Sequence, residues 1–362
     1  MFFPIYLVTV RHATVAVSLA FLSAGYLGGS LIGPLAGRWS DRIGQRRPFL
    51  LGAEAGAIPF YLSIPFMPGY FYSGIAFVAG TVILTVGSPA LTAYVSDVSR
   101  ERERGISYGA LSASRAAGSV LGFLLVGWLI DTFGFTFLFY FAGAAMVGTI
   151  IFVVLAVPDA PVVPGGTGAR TGTIIPLLLF SVVVSIRTLG SGAVGSFYGI
   201  WATTLGASSF GVSLIAVAGL ATTAMVGIQA GRMVDSHGEL ASLFAGTLVS
   251  ILAFTVFLLA PTWYVLIPAQ VVRQLGFAIL SPAMLVWVSR IAPADRRAEY
   301  MGVFTLVNSS LWSIGPLMGG VAYQFGGAES LFLSAIASGV ISLGAIYLFY
   351  SRYLKGRHAS PS

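Results

Sequence analysis

"GRWSDRIGQRRP", residues 37–48, sets four arginines and an aspartate between two long apolar stretches. Such density of charge is foreign to the rest of the chain, where 9% of residues are Asp, Glu, Lys or Arg and 57% are hydrophobic. A worn copy, "GRMVDSHGE", returns at residues 231–239, 194 positions later. The two copies fix both the class of the protein and its internal organisation.

The apolar residues around them come in runs of about 20 or more, the length that crosses a hydrocarbon core of ~30 Å. Twelve segments can be drawn, at 1–10, 14–38, 48–67, 69–96, 105–130, 135–157, 174–205, 208–232, 239–260, 262–291, 298–325 and 329–353, of which the first is too short to span. Mean hydropathy is +0.91, outside the soluble range. Forty-five glycines in 362 residues suit helices packed closely in lipid, and no segment shows the strict alternation of a membrane barrel. The fold class expected is an all-α polytopic membrane protein with eleven full transmembrane helices and a stub.

Basic residues set the orientation. The loops after even-numbered segments, with their flanks and the C-terminus, hold 15 of the 19 Lys and Arg, whereas odd-numbered loops hold Arg11 alone. Even loops and the C-terminus are therefore expected in the cytoplasm and the protein in the plasma membrane. The net charge of +7 sits in these short loops, with no base-stacking or groove-entering element beside it, so nucleic acid is not an expected partner. With no cysteine there is neither disulfide nor thiolate chemistry. His12, His237 and His358 form no pair with metal-ligand spacing, which argues against a membrane-embedded enzyme.

Sliding the chain by 194 lays "GPLAGRWSDRIG" (33–44) on "GIQAGRMVDSHG" (227–238), matching Gly33, Ala36, Gly37, Arg38, Asp41 and Gly44 without a gap. Sliding by 193 lays Ser88-Pro89-Ala90 on Ser281-Pro282-Ala283, Arg104 on Arg297 and Gly122 on Gly315. The polar and breaker residues thus repeat over about 100 positions, as two like-oriented six-helix halves would. The expected domains are an N-terminal bundle at 1–157, a Pro/Gly-rich cytoplasmic linker at 158–173, a C-terminal bundle at 174–353 and a cytoplasmic tail at 354–362. By the same offset the first span would begin about 20 residues before Met1, and a truncated first helix is expected.

Two six-helix halves, a central linker and "GRWSDRIGQRR" after the second segment resemble the major facilitator superfamily, among them its drug and sugar efflux-type members. Gly37, Asp41, Arg42, Gly44, Arg46 and Arg47 fit that family's loop signature, while Trp39 and Gln45 depart from it. The second copy keeps Gly231, Asp235 and Gly238. The resemblance implies two bundles related by a pseudo-two-fold axis and transport by alternating access. It also implies a cytoplasmic gate, in which Asp41 docks near Asp295–Tyr300 and the arginines meet Asp97. "GSVLGFLLVG" (118–127) keeps Gly118, Gly122 and Gly127 of an exporter motif, but Phe123 and Val126 depart from it, and "GPLMGG" (315–320) is its relative in the second half.

Three arginines lie inside spans, Arg115 ~15 Å, Arg187 ~20 Å and Arg273 ~16 Å from their helix ends. An ionisable group at such depth costs ~2.5–3.5 kcal/mol on insertion scales and faces a cavity or a partner. Gln270 and Gln274 flank Arg273, and Asn308 is the repeat equivalent of Arg115. One intramembrane carboxylate, Glu54, cannot pair with three arginines. An anionic or polar solute is therefore expected to bind Arg115, Arg187, Arg273, Gln270, Gln274 and Asn308. A lipophilic drug exporter and a non-transporting sensor of the same fold are the alternatives. No P-loop occurs, so no ATP drive within the chain is expected, nor is a cofactor; an ion or proton gradient is open to it, with Glu54 the coupling candidate, and uniport stays open too. The expected partners are a small solute and the bilayer, with the protein acting as a monomer.

Overall fold

The computed structural model describes residues 1–98, 104–158, 175–291 and 297–353. The side chains at 41, 96–97, 104–110, 112–113, 175–176, 228, 289–291, 297–299, 350 and 352–353 lie outside that description. The expected linker beyond Pro158, the tail, Asp295, and the side chains of Asp41 and Asp97 thus fall outside the described residues.

The helices are α1 (Phe2–Thr9), α2 (Val15–Ile43), α3 (Arg47–Ser63), α4 (Gly69–Thr85), α5 (Gly87–Val98), α6 (Arg104–Phe133), α7 (Thr136–Ala156), α8 (Ile175–Thr204), α9 (Ser209–His237), α10 (Glu239–Leu259), α11 (Leu266–Ile291) and α12 (Arg297–Tyr353). Among the described residues, ten helical stretches are long and apolar enough to cross a membrane, and the last, Tyr300–Phe349, has 50 residues. That stretch is two limbs broken by non-helical Gly326 and Gly327. The fourth segment is likewise interrupted, between α4 and α5 at Val86. α1 has 8 residues and is buried, its Phe3 ring stacked 3.8 Å from that of Phe77 on α4. Arg11, beyond it, donates to Pro65 O at 2.7 Å and to the Tyr6 hydroxyl at 2.6 Å, tying α1 to the end of α3.

The charged motif is less a loop than the segment boundaries imply. α2 runs on to Ile43, so Gly37–Ile43 are its last two turns, and α9 likewise continues to His237. Charge need not end a helix that has left the hydrocarbon; both stop at a glycine in the left-handed region, Gly44 (φ 71°) and Gly238 (φ 82°). Gly44 N–H donates to Ser40 O at 3.1 Å and Gly238 N–H to Val234 O at 2.9 Å, the same cap at the 194 offset.

Two compact units emerge: residues 2–170 with 208–213, and residues 171–207 with 214–362 and Met1. In the first, Phe3, Tyr6, Leu22, Ile64, Phe77 and Phe139 form the core. In the second, Phe180 stacks on Trp287 at 3.3 Å within a cluster reaching Val234, Leu243, Leu280 and Ile346. There α8 lies between the two limbs of α12. It touches the first in parallel, where a Cβ on Gly192 would meet Trp312 O and lie 3.3 Å from Gly315 Cα. It touches the second in antiparallel, where a Cβ on Gly190 would lie 2.9 Å from Ala335 Cα.

Candidate solute-binding site in the C-terminal unit

Those close crossings set the height at which polar side chains meet. Arg187, on the fourth turn of α8, is 2% exposed; its Nη1 donates to Ser191 Oγ at 2.8 Å and its buried Nε meets no acceptor among the described residues. Arg273 on α11 is half-buried and donates through Nε to Gln270 Oε1 at 2.8 Å. Its Nη1 reaches α8, 3.6 Å from where a Cβ on Gly195 would stand, an ordinary contact distance. On the α9 side, a Cβ at Gly219 would lie 2.9 Å from Gln270 Cγ and 2.9 Å from Gln274 Cγ, and Gln274 Nε2 donates to Thr223 Oγ1 at 3.2 Å.

Asn308 closes the same layer from α12. Its Oδ1 accepts from Ser185 Oγ and Thr188 Oγ1, each at 3.2 Å. Five of the six expected binding residues thus lie in this one unit, Gln270, Arg273 and Gln274 on α11, Arg187 on α8, and Asn308 against α8. Arg115 is different: it belongs to the other unit, on α6, and is exposed there. The hydroxyls of Ser185, Thr188, Ser191 and Thr223, and the two small residues Gly195 and Gly219, are site features that the sequence reading did not single out. Neither Arg187 nor Arg273 has an ion pair with a carboxylate among the described residues.

In the N-terminal unit the motif divides by role. A Cβ on Gly37 would sit 3.4 Å from Pro89 Cβ, so α2 and α5 do approach closely there. Gly231, its repeat partner, has nothing within 4 Å, so the worn copy keeps the helix cap and not the close approach. Asp235 is exposed on α9. Glu54, on α3, is half-buried with no hydrogen-bond partner among the described residues, and Tyr61 on the same helix pairs its hydroxyl with Thr81 Oγ1 at 3.1 Å.

A carboxylate absent from the expected site holds a helix end. Asp131, at the end of α6, accepts from Ser209 N–H at 2.8 Å and Phe210 N–H at 2.9 Å, the first donors of α9. One face of α6 makes the rest of this contact: Ser213 Oγ donates to Phe123 O at 2.6 Å, and a Cβ on Gly127 would lie 2.8 Å from Ser209 O. Gly118 and Gly122, by contrast, have nothing within 4 Å.

A sequence profile described as Major Facilitator Superfamily matches the chain twice, over residues 1–187 and 180–361, one match per half. Hippocampus abundant transcript-like protein 1 of Rattus norvegicus is 26% identical over 331 residues, covering 85% of this chain. The chain spans 62% of that protein's length. Multidrug resistance protein 2 of Bacillus subtilis is 24% identical over 335 residues, covering 85% of this chain and 80% of its own. Among solved structures, a bacterial homologue of the human lysosomal transporter Spinster, inward-facing and occupied, superposes with a TM-score of 0.78 at 16% identity, over 99% of this chain and 95% of that one.

Proposed function

The chain belongs to the major facilitator superfamily and is a secondary transporter rather than an enzyme, and on that premise we propose that it carries an anionic or strongly polar small solute by alternating access. The carrying observation is the pair of guanidinium groups in the α8–α11 layer, one of them fully buried with a bare Nε and neither opposed by a carboxylate among the described residues. A buried cation without a counter-charge is costly, and an anion that arrives and leaves relieves that cost reversibly. Arg273, half-buried, is the residue that touches the solute; Arg187 stands behind it and supplies field. Gln274 and Asn308 orient the solute's polar groups.

The test is flux into proteoliposomes across a panel of anionic, zwitterionic and lipophilic cationic solutes. Arg273→Ala should lose anion flux at least tenfold while Arg273→Lys retains part of it, since Lys keeps the charge and loses the fork. Full anion flux in Arg273→Ala would remove the reading. A second reading, export of lipophilic drugs, is favoured by the similarity to a multidrug resistance protein. It requires flux of lipophilic cations that ignores Arg273. Binding without flux would instead identify a sensor.

The direction proposed is efflux across the plasma membrane, by a monomer with its C-terminus in the cytoplasm, as the 15-to-1 arginine and lysine split supports. Glu54 is the proposed proton-coupling group: Glu54→Gln should abolish any pH-gradient dependence of flux. The α2–α3 corner is the proposed cytoplasmic gate with Asp41 as its latch and Arg42 and Asp97 as its flanking charges, and Asp235 is the counterpart of Asp41 in the second copy of the motif. Asp41→Asn should shift cysteine-accessibility labelling towards the inward-open state, and unchanged labelling would rule the gate out.

A further inference from the structure

Four arginines crowd the α2–α3 corner, and the structure divides them two and two. Arg46 is 6% exposed and donates to Ser40 Oγ at 3.0 Å, while Ser40 Oγ donates onward to Gln45 O at 3.0 Å. Arg47 donates to Val154 O, near the end of α7, at 2.6 Å. Both are committed to holding the corner. Arg38 and Arg42 stand one turn apart on α2, exposed, with neither hydrogen-bond nor ion-pair partner among the described residues.

These two line a groove of about 480 Å³ whose remaining walls are almost wholly hydrocarbon: Ile32, Leu35 and Trp39 of α2, Phe49 of α3, and Val86 at the α4–α5 break. Trp39 and Phe49 form its edge, their rings T-shaped with centroids 6.2 Å apart. Leu35 and Trp39 are 61% and 65% exposed, so this face is not covered by the rest of the N-terminal unit. Its height is also defined. The second apolar run of the sequence ends at residue 38 and the third begins at residue 48. Ile32 and Leu35 therefore lie at acyl-chain depth, and Arg42, ~15 Å further along α2 than Ile32, at headgroup depth. Tryptophan favours that boundary.

We propose that this groove binds one anionic phospholipid, its phosphate held by Arg38 and Arg42 and an acyl chain laid along Ile32, Leu35 and Trp39. Two planar guanidinium forks match a phosphate, and basic clefts at the cytoplasmic face of spans select anionic headgroups. The apolar walls identify a lipid rather than a free anion, which has no use for them. Orientation in the membrane does not account for the pair, because arginines anywhere beyond the helix end would serve it. It leaves unexplained why Arg38 and Arg42 overlook an apolar groove.

The full chain, purified in mild detergent and stripped of lipid, is titrated with phosphatidylglycerol, phosphatidylcholine or inorganic phosphate, and bound lipid is counted by native mass spectrometry. Wild type should retain phosphatidylglycerol over phosphatidylcholine. Arg38→Gln/Arg42→Gln should weaken phosphatidylglycerol roughly thirtyfold, about fivefold per arginine squared over the pair, and leave phosphatidylcholine unchanged. Arg46→Gln, which breaks the corner's internal bond, should lower thermal stability and keep the lipid preference. Phosphatidylglycerol brominated in its chains should quench fluorescence in wild type more than in Trp39→Phe. Equal retention of the two lipids overturns the proposal. So does a folded double variant with unchanged preference, or loss of preference in folded Arg46→Gln as complete as in the double variant. Displacement of the lipid by equimolar phosphate overturns it as well, since it would mark a free-anion site.

Discussion

Gly315→Ala tests the scaffold on which the solute site rests. A Cβ at Gly315 would collide with Leu189 O and lie 2.8 Å from Gly192 Cα and 2.9 Å from Ala193 N. Carbon contacts settle at roughly 3.5–4.0 Å, so α12 must retreat from α8 by about 0.7–1 Å. The obstacles are backbone atoms, which no rotamer change removes, so the cost belongs at the upper end of overpacking, about 3 kcal/mol. At about 2–4 °C per kcal/mol for a unit of this size, the apparent melting temperature falls by about 6–12 °C. The retreat also reaches the site. Ser185 and Thr188 hold Asn308 at 3.2 Å, already long for hydroxyl donors, so a further half-ångström breaks both bonds. Flux per folded molecule should then fall along with stability. Gly192→Ala acts on the same crossing, its Cβ meeting Trp312 O, so the double variant should cost less than the sum of the singles. Thermal melting in detergent and flux in vesicles are the two assays. A Gly315→Ala protein that melts with wild type refutes the close-packing argument. If it also transports poorly, Gly315 acts as a hinge beside Pro316 rather than as a packing surface.

Gly44→Ala forces a side chain onto φ 71° at the end of α2 and should cost about 1–2 kcal/mol, with Gly238→Ala (φ 82°) costing a similar amount at its repeat position; differential scanning fluorimetry compares them. Asp131→Ala strips two acceptors from the start of α9 and should cost about 1 kcal/mol, seen as a lower melting temperature and faster proteolysis at residues 205–209; Asp131→Asn, which keeps one acceptor, should fall between. Arg11→Gln should loosen α1 from the α3 end, since it removes the donor to Pro65 O, and hydrogen exchange over residues 2–9 should rise.

Each span needs a run of apolar residues that nothing else in a protein requires, which is why the segments were readable to within a few residues from hydropathy alone. The repeat was readable because glycines that end helices must recur where the backbone recurs, and Gly44 and Gly238 do so with the same cap. What failed was reading charge as loop: Gly37 to Ile43 are helical, because leaving the membrane and leaving the helix are separate events. The site was half legible. Distance from a helix end gives the height of Arg115, Arg187 and Arg273, but the helix face needs an amphipathic pattern, and spans apolar on every side have none. Hence three arginines of similar depth end differently, one buried, one half-buried and one exposed. Glycines carry the same ambiguity, for Gly122 faces open space and Gly315, its repeat partner, faces backbone. That difference has a consequence for where the solute site sits. In the C-terminal unit, glycines on α8 and α12 bring backbones within reach, so that short Ser and Thr side chains on one helix can hold Asn308 on the other. Gly219 then leaves the room that the two glutamines fill. At the equivalent height of α6 no such approach is made at Gly118 or Gly122, and Arg115 has no hydroxyl layer packed against it among the described residues. The tightly packed polar layer therefore belongs to the second half, and the first half holds the capped corner and the exposed arginines Arg38 and Arg42.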